Sequence, residues 1–196
     1  MKYLVINPKR ITTAQSTLIV DYLNQGKVVV YPTDTIYGFG CLADKAQAIK
    51  RIRKIKGSDT QKPLLVLMKD LGQVKKYCVS DSEKTKIIKE LNLIKNVRPT
   101  SYILPHKNKL PAVLTGSSLG LGFRLPKSNF LRKILSMVEA PLVSTSLNLS
   151  GQTVLSTPGA EVAKFKVDLV IDAGILKNRA SRLIDLSGAK ARVIRK

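Results

Sequence analysis

Ser144, Thr145, Ser146, Asn148 and Ser150 crowd into the segment PLVSTSLNLSG, Pro141–Gly151. The segment starts as a buried strand would, with Pro-Leu-Val, and turns polar without a break. Hydroxyls at such a place are nucleophiles only if a base activates them. The single histidine, His106, lies in the polar stretch PHKNK, where it reads as a solvent-facing loop residue, and nothing near it builds a Ser-His-Asp or Cys-His site. The same hydroxyls and amide serve better as hydrogen-bond donors to a ligand.

Two more stretches have this character. In YPTDTIYGFGC (31–41) a strand ends at Pro32, and Thr33 and Thr35 follow, with glycines that let the backbone approach a ligand. In KIKGSDTQKPLLVL (54–67) Lys56 sits at a helix end and Lys62 leads into an apolar strand. Hydroxyls, amides, lysines and arginines bind and position anions, so rate would come from proximity and electrostatic stabilisation.

Other chemistries lack their residues. There is no P-loop, no G-x-S-x-G elbow and no H-E-x-x-H. GSSLGLG (116–122) lacks the dinucleotide spacing and reads as a loop turning into a strand. Carboxylates are too scarce for a paired-carboxylate glycosidase. Cys41 and Cys78 read as buried apolar residues, and no metal site is expected.

The elements that must position these residues alternate. TAQSTLIVDYLNQ (13–25) and DKAQAIKRIRKIK (44–56) read as amphipathic helices, with Gly26 and Gly57 as stops and Asp44 as the cap of the second. The second puts Ile49, Ile52 and Ile55 on one face and Lys45, Lys50, Arg51, Arg53, Lys54 and Lys56 on the other. Further helices are expected over 82–94 and 128–138, and a short one from Thr157-Pro158. KVVVY (27–31) and LLVLM (64–68) read as strands, the latter central. Strands are also expected over 101–105, 121–126, 140–145, 167–173, 182–186 and 191–195. One α/β domain over 1–196 is the expectation.

The 196-residue chain is 44% hydrophobic, enough for a sizeable core, yet no apolar run approaches a membrane span of about 20 residues. MKYLVINPKR is too short for a signal peptide's apolar region, so a cytoplasmic protein is expected. Against 13 acidic residues stand 34 basic ones, a net charge of +21, which points to polyanionic partners such as nucleic acid or nucleotide. Without tryptophan, and with 5% aromatic residues, an aromatic stacking surface for bases is not expected.

Taken in order, VVVYPTDTIYGFGC, KIKGSDTQKPLLVLM, GFRLP and PLVSTSLNLSG resemble the YrdC-like family, most closely its bacterial threonylcarbamoyl-AMP synthases. The tail ASRLIDLSGAKARVIRK is similar to the family's closing segment, and the resemblance spans about 14–196. It implies a twisted, open mixed sheet with flanking helices around a basic cleft. It also implies synthesis of threonylcarbamoyl-AMP and pyrophosphate from L-threonine, bicarbonate and ATP, with Mg²⁺ on the ATP phosphates. Other proteins would then transfer the threonylcarbamoyl group to tRNA, and related members bind double-stranded RNA. Thr33 and Thr35 would hold threonine or its carbamate, and Lys56 and Lys62 would contact the phosphates and the threonyl carboxylate. Arg124 would face the triphosphate, and Ser144, Ser146 and Asn148 the nucleotide and phosphate. Ser181 would add a phosphate contact, and Arg195 matches the family's terminal arginine as a further substrate-binding residue. Lys56, Lys62, Ser146 and Asn148 are the catalytic positions in this reading.

The sequence departs from the family in two places. Lys56-Gly57-Ser58 stands where the family has Lys-x-Arg, and VRPTSYIL (97–104), which keeps Pro99 and Ser101, stands where it has Pro-Gly-Pro and a Thr-containing strand. Arg53, one turn before Lys56, is the candidate to replace the missing arginine. YciO-type paralogues lose Lys-x-Arg too, but they also lack the Ser-x-Asn element kept here as Ser146 and Asn148. The synthase is therefore the favoured reading. A catalytically altered paralogue that binds double-stranded RNA, tRNA or nucleotide is the alternative, ahead of carbamoyl transfer as in hydrogenase maturation proteins.

Overall fold

Thr12 opens the first helix with a capping box: its hydroxyl accepts from Gln15 N at 3.1 Å, and the Gln15 side chain accepts from Thr12 N at 3.0 Å. The computed structural model describes residues 1–57, 62–94 and 98–196. In chain order come β1 (Lys2–Val5), α1 (Thr13–Asn24), β2 (Val29–Tyr31), β3 (Gly38–Gly40), α2 (Ala46–Lys56) and β4 (Leu65–Leu67). Then follow α3 (Leu71–Tyr77), α4 (Ser82–Leu93), β5 (Thr100–Pro105), α5 (Ala112–Thr115), β6 (Gly120–Arg124) and α6 (Asn129–Ser136). Last are β7 (Leu142–Ser146), a 3₁₀ turn (Ala160–Phe165), β8 (Leu169–Asp172), β9 (Arg182–Asp185) and β10 (Arg192–Arg195).

The strands form one mixed sheet in the order β1-β8-β2-β3-β7-β4-β6-β5-β9-β10. β1, β8 and β2 run parallel, as do the pairs β4/β6 and β5/β9, while the remaining neighbours are antiparallel. The expected α/β class with a mixed sheet is what the chain forms, and β4 is central as its unbroken apolar run required.

Alternation along the strands divides the core between the two faces of the sheet. Val29 and Tyr31 of β2 and Leu169 and Ile171 of β8 pack against α1 and α6. Val30 and Val170, from the same strands, join the cluster holding Ile49 and Ile52 of α2. Burial on both faces explains why these strands read as continuous apolar runs.

β3 escapes the usual strand signals because two of its residues are glycine. Both are required by close approach. A Cβ on Gly40 would lie 2.4 Å from the Tyr31 ring and 2.7 Å from Val143 O, and one on Gly38 would lie 2.7 Å from Thr145 O. β1, α3 and α5 were not expected either. β1 is largely exposed, and among the described residues its only strand neighbour is β8.

Two local expectations, the Asp44 cap and the solvent-facing His106, need correction. Asp44 does not cap α2: the N-cap is Lys45, with no side-chain hydrogen bond. The basic face of α2 is solvated only in part: Lys50, Arg51 and Lys54 are exposed, with Arg51 paired to Asp168 at 2.8 Å, while Arg53 and Lys56 are buried. His106 is only half-buried but it is tied down. Its Nε2 lies 3.0 Å from Ser118 O, and its Nδ1 accepts from Asn108 N at 3.2 Å. Cys41 and Cys78 are buried and free, as expected.

Candidate anion-binding site

The turn between β2 and β3 is built on Thr33. Its Oγ1 accepts from Thr35 N at 3.0 Å and Ile36 N at 3.1 Å, and it lies 2.8 Å from Thr35 Oγ1. A threonine that bonds its own downstream backbone fixes such a turn. Arg124, at the end of β6, holds the turn from across the sheet: Nη1 donates to Thr35 Oγ1 at 3.1 Å. Its Nη2 lies 3.0 Å from Asp34 Oδ1, an ion-pair contact without hydrogen-bond alignment, and its buried Nε has no partner among the described residues. The other Asp34 oxygen accepts from Lys127 N at 3.1 Å.

β7 runs between β3 and β4, with Ser146 opposite Gly38 and Ser144 opposite Leu65. Its polar end therefore lies beside the Thr33 turn. β9 and β10 bring Ser181 and Arg195 to the same place, although they are the last strands of the chain. Arg195 Nε donates to Ser181 O at 2.9 Å and Nη2 to Ser181 Oγ at 3.3 Å. Together these elements enclose a cavity of about 400 Å³. Thr33, Thr35, Arg124, Ser144, Ser146, Ser181 and Arg195, all expected site residues, line it. Since β3, β7, β4, β9 and β10 all contribute, the sheet must curl around it.

Burial and the neighbouring charges of Arg98 and Arg124 lower the pKa of Arg195. Among the described residues Asp34 is the only acidic one paired with Arg124. Guanidiniums that share a small cavity in this way are arranged for an anionic oxygen ligand.

Lys56 behaves differently from the expectation. Its ammonium donates to Ser146 O at 2.8 Å, Asn148 O at 2.9 Å and Asn148 Oδ1 at 2.9 Å, and lies 3.4 Å from Ser146 Oγ. An ammonium has three protons, and carbonyl oxygens take them all. Ser146 Oγ in turn donates to Asn148 Oδ1 at 2.6 Å, and Ser150 N donates to Lys56 O at 2.9 Å. Burial pushes the lysine down to about 8. Lys56 thus ties the end of α2 to the polar end of β7 from behind the cavity wall, and neither it nor Asn148 lines the cavity.

Lys62 does not line it either: its side chain is exposed, and its carbonyl accepts from Arg53 Nη2 at 2.8 Å. The same guanidinium donates to Val113 O at 2.8 Å and Leu114 O at 3.3 Å. Arg53 is buried as a brace between α2, α5 and the approach to β4, so it does not replace an arginine facing the cavity. Ser58 lies outside the described residues.

Reading by residue type overlooked Asp34, Tyr37 and Ser101. Tyr37 lines the cavity and fixes it to the end of β8, since its hydroxyl donates to Gly174 O at 2.8 Å and accepts from Ala173 N at 2.8 Å. Burial raises its pKa to about 12. Asp34 and Tyr37 belong to the quoted YPTDTIYGFGC stretch, so position in that motif was the available signal. Ser101 is paired with Ser181, at 2.8 Å between hydroxyl oxygens. Among the described residues no three His, Cys, Asp or Glu side chains are grouped to hold a metal ion, and no helix is long and apolar enough to cross a membrane.

A mixed sheet curled around a cavity lined by guanidiniums and hydroxyls defines an α/β protein with a basic, polar cleft. The Sua5–YciO–YrdC family model, described as telomere recombination, matches residues 21–196, and the chain belongs to that family. It is 34% identical over 151 residues to threonylcarbamoyl-AMP synthase of Pseudoalteromonas translucida, covering 75% of this chain and 80% of that one. The structure is similar to that of Pyrococcus abyssi Sua5 complexed with L-threonine, with TM-score 0.88 and 25% identity, covering 100% of this chain and 57% of the other. It is equally similar to Escherichia coli YciO, with TM-score 0.87 and 25% identity over 100% of this chain and 96% of that one.

Proposed function

We propose that this protein is a threonylcarbamoyl-AMP synthase, a nucleotidyltransferase that supplies the activated group for tRNA modification in the cytoplasm. The carrying observation is the placement of Arg124 and Arg195 on one hydroxyl-lined cavity of about 400 Å³. Relatives bearing that name, and the likeness to a threonine-complexed structure, support the reading.

The reaction balances without a covalent enzyme intermediate. Bicarbonate takes up a proton and loses water to give CO₂; the threonine amine then adds to the CO₂ carbon, giving the carbamate and releasing a proton. A carbamate oxygen then attacks the α-phosphorus of ATP, and the α–β bridging oxygen leaves with pyrophosphate. Both reactants are anions, so positive charge must offset their repulsion. Arg124 and Arg195 supply it, with the hydroxyls of Ser144, Ser146 and Ser181 as donors to phosphate oxygens. The turn of Thr33 and Thr35 forms the end of the cavity for threonine. The cavity residues present no grouped carboxylates, so Mg²⁺ fits as an ion carried on the ATP phosphates, where it would neutralise charge on the leaving group.

Lys56 and Asn148 serve by holding Ser146 at the cavity wall. This reading leaves Lys62 free to reach a bound triphosphate from its exposed position. The net charge of +21 supports tRNA or double-stranded RNA as a further partner, whose affinity would fall steeply with salt. The deciding experiment is pyrophosphate release from L-threonine, bicarbonate, ATP and Mg²⁺. Release above a threonine-free control is expected, and its absence would overturn the synthase in favour of a non-catalytic paralogue.

A further inference from the structure

Ser101 lies in β5, fully buried, and its hydroxyl makes a single hydrogen bond among the described residues, with Ser181 Oγ at 2.8 Å. The parallel pairing of β5 with β9 sets this contact: Ser101 stands opposite Leu183, and Arg182 N donates to Pro99 O at 2.8 Å. Ser181 lines the cavity, and its Oγ also accepts from Arg195 Nη2 at 3.3 Å.

A serine hydroxyl has one proton and two acceptor lone pairs. Among the described residues, either direction leaves one O–H of the pair without a protein acceptor. If Ser181 donated to Ser101, that proton would be on Ser101, which is fully buried and does not line the cavity. If Ser101 donates to Ser181, Ser181 Oγ accepts twice, from Ser101 and from Arg195, and the remaining proton is on Ser181, which lines the cavity. A donor sealed in the core must be paired within the protein, whereas one on a cavity wall can meet a ligand, so the second arrangement is the favoured one.

We propose that Ser101 is a positioning residue that turns the Ser181 O–H into the cavity, as a donor to an anionic phosphate oxygen beside the Arg195 guanidinium. That the anion is a nucleotide phosphate rests on the synthase reading. The device strengthens binding of a phosphorylated ligand and does nothing for its neutral counterpart.

AMP and adenosine are the probes, titrated calorimetrically into the full chain and its variants. Ser101→Ala should weaken AMP about tenfold, the value of a hydrogen bond to a charged group, with adenosine unchanged. Ser101→Thr, which keeps the donor, should restore AMP binding. In a Ser181→Ala background, Ser101→Ala should cost nothing further. If Ser101→Ala melts early, Ser101→Cys, a weak donor of similar volume, carries the same expectation. AMP binding equal to wild type, equal losses for AMP and adenosine, or an additive loss on top of Ser181→Ala would each overturn the proposal. Wild type that prefers AMP to adenosine but releases no pyrophosphate would overturn the synthase and leave this role standing. Wild type that does not prefer AMP overturns this role.

Discussion

The Lys56 ammonium lies 2.9 Å from Asn148 Oδ1, and the two side chains join the end of α2 to the exit of β7. Lys56→Met should retain the apolar stem but leave three carbonyl-type acceptors unmet, costing about 1–3 kcal/mol of stability. Pyrophosphate release should fall mainly in kcat, because Ser146 loses its support. Denaturant melts and steady-state kinetics would check both, and an unchanged kcat would show that the tie is merely structural.

The same lysine gives a pH dependence. Burial lowers it from 10.5 to about 8. Below pH 8 both folded and unfolded chains carry the proton, so the full cost of burying the charge is present. Between about 8 and 10.5 the unfolded chain holds more protons than the folded one, so unfolding free energy should rise with pH. Wild type minus Lys56→Met, compared across that window, isolates the effect.

Arg124 and Asp34 are a pair in which one partner without the other leaves an uncompensated buried charge. Arg124→Met should destabilise by about 3–5 kcal/mol. The double variant with Asp34→Asn should recover a good part of that, while pyrophosphate release stays lost in both. Chemical denaturation of the full cycle would measure the coupling.

Asp168 sets an acid limit. Burial opposes its ionisation, yet the Arg51 guanidinium and the Val28 N–H hold its carboxyl below the ordinary value. The unfolded chain therefore takes up the proton first as pH falls, and stability present above pH about 4 is lost below it. Asp168→Asn should lower stability at neutral pH and flatten the acid limb of the stability profile.

Gly40 is kept small by the Tyr31 ring and Val143 O. Gly40→Ala should cost about 1–3 kcal/mol through overpacking between β2, β3 and β7. A thermal melt reads this, and an unchanged midpoint would mean the ring can move aside at no cost.

Much of the fold was legible because strand and helix periods are local. α1, α2, α4 and α6, and the apolar strands β2, β4, β6 and β8, follow from hydrophobic spacing with glycine or hydroxyl punctuation. β3 was not legible, because a Gly-Phe-Gly strand is specified by the neighbours that crowd it. The cavity wall was legible as motif, since Thr33, Thr35, Ser144 and Ser146 sit where strands end. The roles of the α2 cations were not. Helical spacing places Arg53 and Lys56 on a basic face but cannot say that carbonyls from β7 and α5 will cover it.

By itself, then, the sequence determined the α/β class, the strongly basic balance, the anion-handling residue types and the family motifs. Each depends on residue identity or on spacing within one element. Only the tertiary structure decided which cations face the cavity and which brace its walls. It also decided that Ser181 and Arg195, far along the chain, meet Thr33 and Arg124, and that Ser101 has Ser181 as its hydrogen-bond partner. Those outcomes rest on sheet order and curl, which set the long-range partners of buried polar groups, and no local pattern encodes such partners.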